Sequence, residues 1–163
     1  EKLQNLADSN KESVANAAMR QLLQIAPRHS QTTRLLYDKV ENSSDPRVVS
    51  TGIRILSQQR DPWIQKRLKR LAEHKDPIVR KSVIQSLHKH CPADRWTLLS
   101  DMMNREKNKS VIETAIREAV LLSGEGAKKF LELVSAMELH QRAQTLLENG
   151  KTKVATSKGG PCR

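Results

Sequence analysis

Val79-Arg80-Lys81-Ser82-Val83-Ile84-Gln85 has three counterparts in the chain: Val14-Ala15-Asn16-Ala17-Ala18-Met19-Arg20, Val48-Val49-Ser50-Thr51-Gly52-Ile53-Arg54 and Val111-Ile112-Glu113-Thr114-Ala115-Ile116-Arg117. The copies start 34, 31 and 32 residues apart. Each sets Val first, a small or β-branched residue four positions later, Ile or Met at the fifth and a long polar residue at the sixth. On a helix of 3.6 residues per turn the first and fourth-following positions share one face, so every copy carries a narrow apolar stripe. A hairpin of this length cannot bury such a stripe alone, and repeats of 31 to 34 residues bury it by stacking. The expected fold is all-α: a right-handed α-solenoid of four to five stacked antiparallel helix pairs over residues 1–149, followed by a flexible basic tail over 150–163.

Start and stop signals divide the rest of the chain around these copies. Asp8-Ser9-Asn10 caps a helix over 11–26 that ends at Pro27, and residues 30–41 form the next, with Leu35, Leu36 and Val40 inward. Asp45-Pro46, Asp61-Pro62 and Asp76-Pro77 each supply a capping carboxylate followed by a proline suited to the first helical position. The helices they open run to about Gln59, His74 and His90. Residues 93–105 and 109–122, the latter capped by Asn108, make another pair. Gly124 and Gly126 break the chain, and 126–137 with 139–149 form a last, less regular pair suited to capping the stack.

The 163 residues are 37% hydrophobic but only 2% aromatic, so aliphatic side chains carry the packing. No stretch approaches the ~20 apolar residues of a membrane span, and the N-terminus lacks an apolar signal core. Cys91 and Cys162, far apart in sequence, do not read as a disulfide framework and fit a reducing compartment, cytoplasmic or nuclear. Glu1 in place of Met reads as a processed or excised end, with room for the solenoid to continue upstream.

Asp76-Pro77-Ile78-Val79-Arg80-Lys81-Ser82-Val83-Ile84-Gln85-Ser86-Leu87 resembles the second helix of a HEAT repeat. Asp45 to Leu56 follows the pattern with Val49 where that family places Arg, and the first and fourth copies lack the Asp-Pro start. The resemblance implies an Asp–Arg ladder between neighbouring repeats, incomplete here. It implies architecture more than activity, since such arrays act as scaffolds, transport receptors, regulatory arms and, in one branch, DNA glycosylases.

In a HEAT-like stack the outward side of the second helices lines the concave surface. Val79, Val83, Ile84 and Leu87 fall on the buried side, which leaves Lys81, Gln85 and Lys89 outward. In register with them, Arg20, Arg54, Gln85 and Arg117 form a central polar track, flanked by Asn16, Ser50, Lys81, Glu113 and by Gln24, Gln58, Lys89, Leu121. The candidate partner-binding residues are therefore Arg20, Arg54, Lys81, Gln85, Lys89 and Arg117.

Net charge is +11, and residues 60–91 hold nine Lys or Arg against three Asp or Glu. Lys66, Lys69 and Arg70 face away from the Leu stripe of their helix and make a candidate basic patch. Such charge attracts an acidic protein segment or nucleic acid, and equally keeps a helical rod solvated. The preferred expectation is a non-enzymatic scaffold that binds an acidic segment of a protein partner. The alternative is binding to nucleic-acid phosphates without sequence preference, with few aromatics to stack on bases.

Enzymatic signals are weak. Gly124-Glu125-Gly126 stands without a preceding strand and is no phosphate cradle. His88 and His90 point about 200° apart on a helix, so His88-Lys89-His90-Cys91 does not assemble a metal site, and no cofactor motif occurs. Trp96 with Asp101 is similar to the aromatic-plus-carboxylate sites of HEAT-like alkylpurine DNA glycosylases, but that likeness stops at the pair. Trp63 and Trp96, each in the first turn of a first helix, are expected to fill grooves between repeats.

Overall fold

A computed structural model describes residues 2–7, 9, 13–14, 17–18, 21–22, 38, 40–57, 62–157 and 162. The described residues form helices α1 (Lys2–Ala7), α2 (Pro46–Leu56), α3 (Pro62–Leu71), α4 (Pro77–His90), α5 (Arg95–Met103), α6 (Lys109–Leu122), α7 (Gly124–Ser135) and α8 (Gln141–Thr156), with no strand among them. Arg20, Asn16, Gln24, Leu35, Leu36, Gln58 and the Trp63 side chain lie outside the described residues.

Helices α2, α4, α6 and α8 pack each on the next and form one layer. The first helices occupy a second layer, with α3 against α4, α5 against α7, and α7 against both α6 and α8. A chain that alternates layers while advancing one helix pair at a time is a solenoid of helical hairpins, the all-α architecture the repeat demanded. Three of the four repeated Val residues occupy a buried seat: Val48, Val79 and Val111 are at most 2% exposed. Val14 is half-buried. One apolar core, from Leu22 through Ile53, Ile84, Leu99 and Ile116 to Leu131, runs along the stack between the layers.

Local chemistry starts the second helices as read. Arg47 N–H donates to Asp45 Oδ1 at 2.8 Å, Ile78 N–H to Asp76 Oδ1 at 2.8 Å, and Ser110 N–H to Asn108 Oδ1 at 3.0 Å. Each bond satisfies a donor that the first helical turn leaves open, worth about 1 kcal/mol. Helix α4 ends at Cys91, whose φ of 48° is left-handed, and the Cys91 N–H returns to the Leu87 carbonyl.

Four expectations need correction. The chain breaks at Ser123 and Gly124, both at positive φ, whereas Gly126 lies inside α7. Gly126 is there for close approach: a Cβ at that position would run into the Trp96 indole, which packs against Phe130 with ring centroids 6.2 Å apart. Trp96 thus fills a groove between α5 and α7, as expected of it. Secondly, the tail does not begin at residue 150. Helix α8 continues to Thr156 because Val154 is buried and Gly150, without a Cβ, lets the helix close on α6, where an added Cβ would sit 2.8 Å from Val120 Cγ2. Thirdly, Cys91 and Cys162 are joined by a disulfide, with Cα atoms 5.2 Å apart. The fold returns the chain end to the end of α4, which sequence separation could not reveal, and the ground for expecting a reducing compartment is thereby removed. Fourthly, the ladder Arg pairs with a glutamate and not with a capping Asp, as described below. No described helix is long and apolar enough to cross a membrane.

Candidate interaction surface

Along the outward side of the second-helix layer, the spacing of the repeats builds a polar groove of about 430 Å³ from α2, α4 and α6. Arg54, Gln85 and Lys89 line it together with hydroxyls of Ser50, Ser57, Ser82 and Ser86, and His88 and Glu118 close one end. Small hydroxyl residues at the helix–helix contact allow the helices to approach, and they satisfy themselves locally. Ser82 Oγ donates to the Ile78 carbonyl at 3.0 Å and Ser86 Oγ to the Val83 carbonyl at 2.6 Å, while Ser50 Oγ lies 2.6 Å from Ser82 Oγ across the groove. Arg54 and Gln85 are exposed, and no described residue pairs with the Arg54 guanidinium.

The groove ends on a buried carboxylate. Glu118 Oε1 accepts from the His88 N–H at 3.1 Å and lies 2.7 Å from His88 Nδ1. Burial pushes the Glu118 carboxyl above its usual range, and the His88 contacts and the Lys89 charge offset this only in part.

Of the other residues expected on the track, Lys81 is half-buried and does not line the groove. Arg117 is exposed, with its guanidinium 3.2 Å from Glu113 on the preceding turn. Glu113 also meets His140 at 3.0 Å and Arg142 at 3.4 Å, tying α6 to the start of α8. The hydrogen bond from His140, aided by the two arginine charges, holds its carboxyl below the usual range. Arg117 therefore belongs to a neighbouring feature, an apolar socket of about 350 Å³ walled by Ile116, Val120, Leu121, Leu146 and Gly150, with Arg117 and Lys153 on its rim. Leu121 is 49% exposed there. Sequence reasoning placed Leu121 on the outward row but missed Leu146 and Lys153. The signal was present: Ala143 and Leu147 follow Val111 and Ala115 by the same 32 residues and are buried like them, which makes α8 a further copy of the second helix.

The basic patch is spoken for in part. Lys66, Lys69 and Arg70 are all exposed, but Lys69 pairs with Asp94, and Arg70 meets Glu41 at 3.0 Å. Arg67 beside them binds Glu41 and, at 2.8 Å, Asp38. Much of this charge fastens neighbouring repeats to one another.

On the turn side, Arg80 makes the one Arg rung of the ladder found among the described residues. Its Nε and Nη2 donate to Glu106 at 2.7 and 2.9 Å, and its Nη1 donates to the His74 and Lys75 carbonyls. The capping Asp is engaged by its own helix, and the next repeat has neutral Asn108 at that place, so Glu106, two residues earlier, supplies the carboxylate. Burial alone would raise Glu106; the Arg80 hydrogen bond and charge, with N–H donors from Asn108 and Lys107, outweigh it and hold the carboxyl below its usual range. The same pairing raises Arg80 further above its ordinary value. The corresponding second-helix positions hold Val49 and Ile112, both buried.

Residues read as candidate chemistry have structural employment. Cys91 is in the disulfide and His88 is held by Glu118. Asp101 is exposed, and Trp96 packs on Phe130. Among the described residues no group of three or more His, Cys, Asp or Glu side chains could hold a metal ion.

Comparison with curated proteins and with solved structures returns no match. The family model described as HEAT repeats matches residues 33–120, more than half of the chain and the stretch that contains α2 to α5 and most of α6. The repeated Val seats, the Asp-Pro helix starts and the Arg80 rung agree with that match, and the chain belongs to the HEAT-repeat family.

Proposed function

We propose that the chain is a non-enzymatic interaction module that docks an acidic segment of a protein partner on the outward face of its second-helix layer. HEAT repeats are commonly protein-interaction scaffolds. The observation that carries the finer reading is the polar groove, where cationic Arg54 and Lys89 from successive repeats flank a floor of serine hydroxyls. Carboxylates of an extended segment find positive charge on the rim, and the stacked helices hold these groups in place before binding, which lowers the entropic cost of association.

The test is fluorescence anisotropy with a labelled Glu-rich decapeptide, comparing wild type with Arg54→Glu/Lys89→Glu. Reversal of both charges is expected to weaken binding about tenfold or more. Undiminished binding, with the helical circular dichroism intact, refutes the assignment. The net charge of +11 favours a second reading, binding of nucleic-acid phosphates through Lys66, Lys69 and Arg70. A generic duplex would then bind with an affinity falling log-linearly with salt, and Lys66→Glu/Lys69→Glu/Arg70→Glu would abolish it while leaving the groove intact.

A further inference from the structure

Lys89, Leu121 and Lys153 stand 32 residues apart on α4, α6 and α8, which pack in that order. They form a row across the layer: a cation at the polar groove, an apolar residue at the mouth of the socket, and a second cation on the socket's far rim. The acidic groups near the socket are engaged within the chain. Glu113 is held by Arg117, His140 and Arg142, Glu148 lies 3.4 Å from Lys151 Nζ, and Glu118, at the end of the polar groove, bonds to His88. What the row offers a ligand is therefore an apolar cavity between two positive charges.

We infer that the Leu121 socket is the anchor site for one apolar side chain of an extended acidic peptide, with a carboxylate on each side of the anchor reaching Lys89 and Lys153. The inference rests on the acidic-segment reading and adds a pattern to it. Packed helices lie about 8–10 Å apart, and an extended chain advances about 3.3 Å per residue. Each carboxylate then falls about three residues from the anchor, giving acid-x-x-apolar-x-x-acid. An α-helical ligand would need about six residues for the same step at 1.5 Å each. The anchor fills a cavity walled by Ile116, Val120, Leu121 and Leu146, and the carboxylates fix its register.

The test uses the full chain and fluorescein-labelled heptapeptides in which positions 1 and 7 are Glu and position 4 is Leu, Ala or Ser. Leu at the centre is expected to bind about tenfold tighter than Ser. Leu121→Ser, at a position 49% exposed and outside the core, is expected to erase that preference. Lys153→Glu should weaken the peptide with Glu at both ends more than one with Gln at position 7. Equal affinity for the Leu and Ser peptides, or a Leu preference that survives Leu121→Ser, overturns the inference and leaves the acidic-segment reading standing. Failure of all the acidic peptides to bind at low salt overturns that reading as well.

Discussion

Helix α4 is fastened to the following repeat at both ends by a glutamate, and the two fastenings behave in opposite ways. At its N-terminal end Glu106 receives two charged hydrogen bonds from Arg80 and two from backbone N–H groups. At its C-terminal end Glu118 receives a ring nitrogen and one N–H of His88. Both carboxylates are buried, with side-chain exposures of 4% and 6%. The first is held below the usual carboxylate range and the second is pushed above it. Two things separate them: Glu118 is enclosed more deeply, and Glu106 has more donors aimed at it, among them a permanent cation. The C-terminal end compensates covalently, because Cys91 beside His88 is bonded to Cys162.

Removal of that covalent bond is the largest expected effect. The disulfide closes a sequence separation of 71 residues, and a chain-entropy treatment of such a loop gives about 4 kcal/mol. Cys91→Ser/Cys162→Ser should lower the urea unfolding free energy by about that amount under oxidising conditions and match reduced wild type once a thiol is added. Unfolding curves that coincide under oxidising conditions would mean that the C-terminal end of α4 is held without the bond.

Next in size is Arg80→Ala. It leaves Glu106 buried without its main donor, and the expected loss is about 3 kcal/mol near neutral pH. The pH dependence sharpens the comparison. With its folded value below the ordinary 4.5, Glu106 contributes stability that is fully present above that value and is lost as pH falls through the lower folded one. Wild type should therefore lose stability on acidification through this window, and Arg80→Ala should lose less of it. Urea curves between pH 3 and 7 measure both slopes, and parallel slopes would separate the rung from acid sensitivity.

The legible part of the molecule was the part governed by periodicity. Val48, Val79, Val83, Leu87 and Val111 are buried where the wheel put them, and Asp76 and Asn108 cap the helices they were read to cap. Arg80 was legible as a ladder residue, but its partner was not. The capping Asp it was expected to meet is replaced by Asn108 in the next repeat, and Glu106 reaches Arg80 from a turn whose geometry no spacing rule specifies. Helix α8 was read too short because Gly150 looks like a terminator until the proximity of Val120 explains it. The disulfide joins residues that become neighbours through the completed stack. On the candidate surface, the repeat register foretold the meeting of Arg54, Gln85 and Lys89, whereas the separation of Arg117 into the apolar socket depends on how α8 closes against α6.

The smallest and most diagnostic change is Glu118→Gln, because its sign is opposite to ordinary loss of an ion pair. A carboxyl whose folded value is raised favours the native state while protonated, and that contribution is lost as pH rises through the folded value. Above the ordinary glutamate value the native protein therefore bears a cost for burying Glu118. Gln keeps an oxygen to accept from His88 and carries no charge to desolvate, so the variant should be more stable than wild type near pH 7, by about 1 kcal/mol. The gain should shrink toward zero as pH falls below the ordinary glutamate value, where wild type is itself protonated. Urea unfolding of the two proteins at pH 4 and pH 7 decides the matter. A variant less stable than wild type at pH 7 would show that the His88–Glu118 contact is a net attraction after all, and the two ends of α4 would then be held by the same physics.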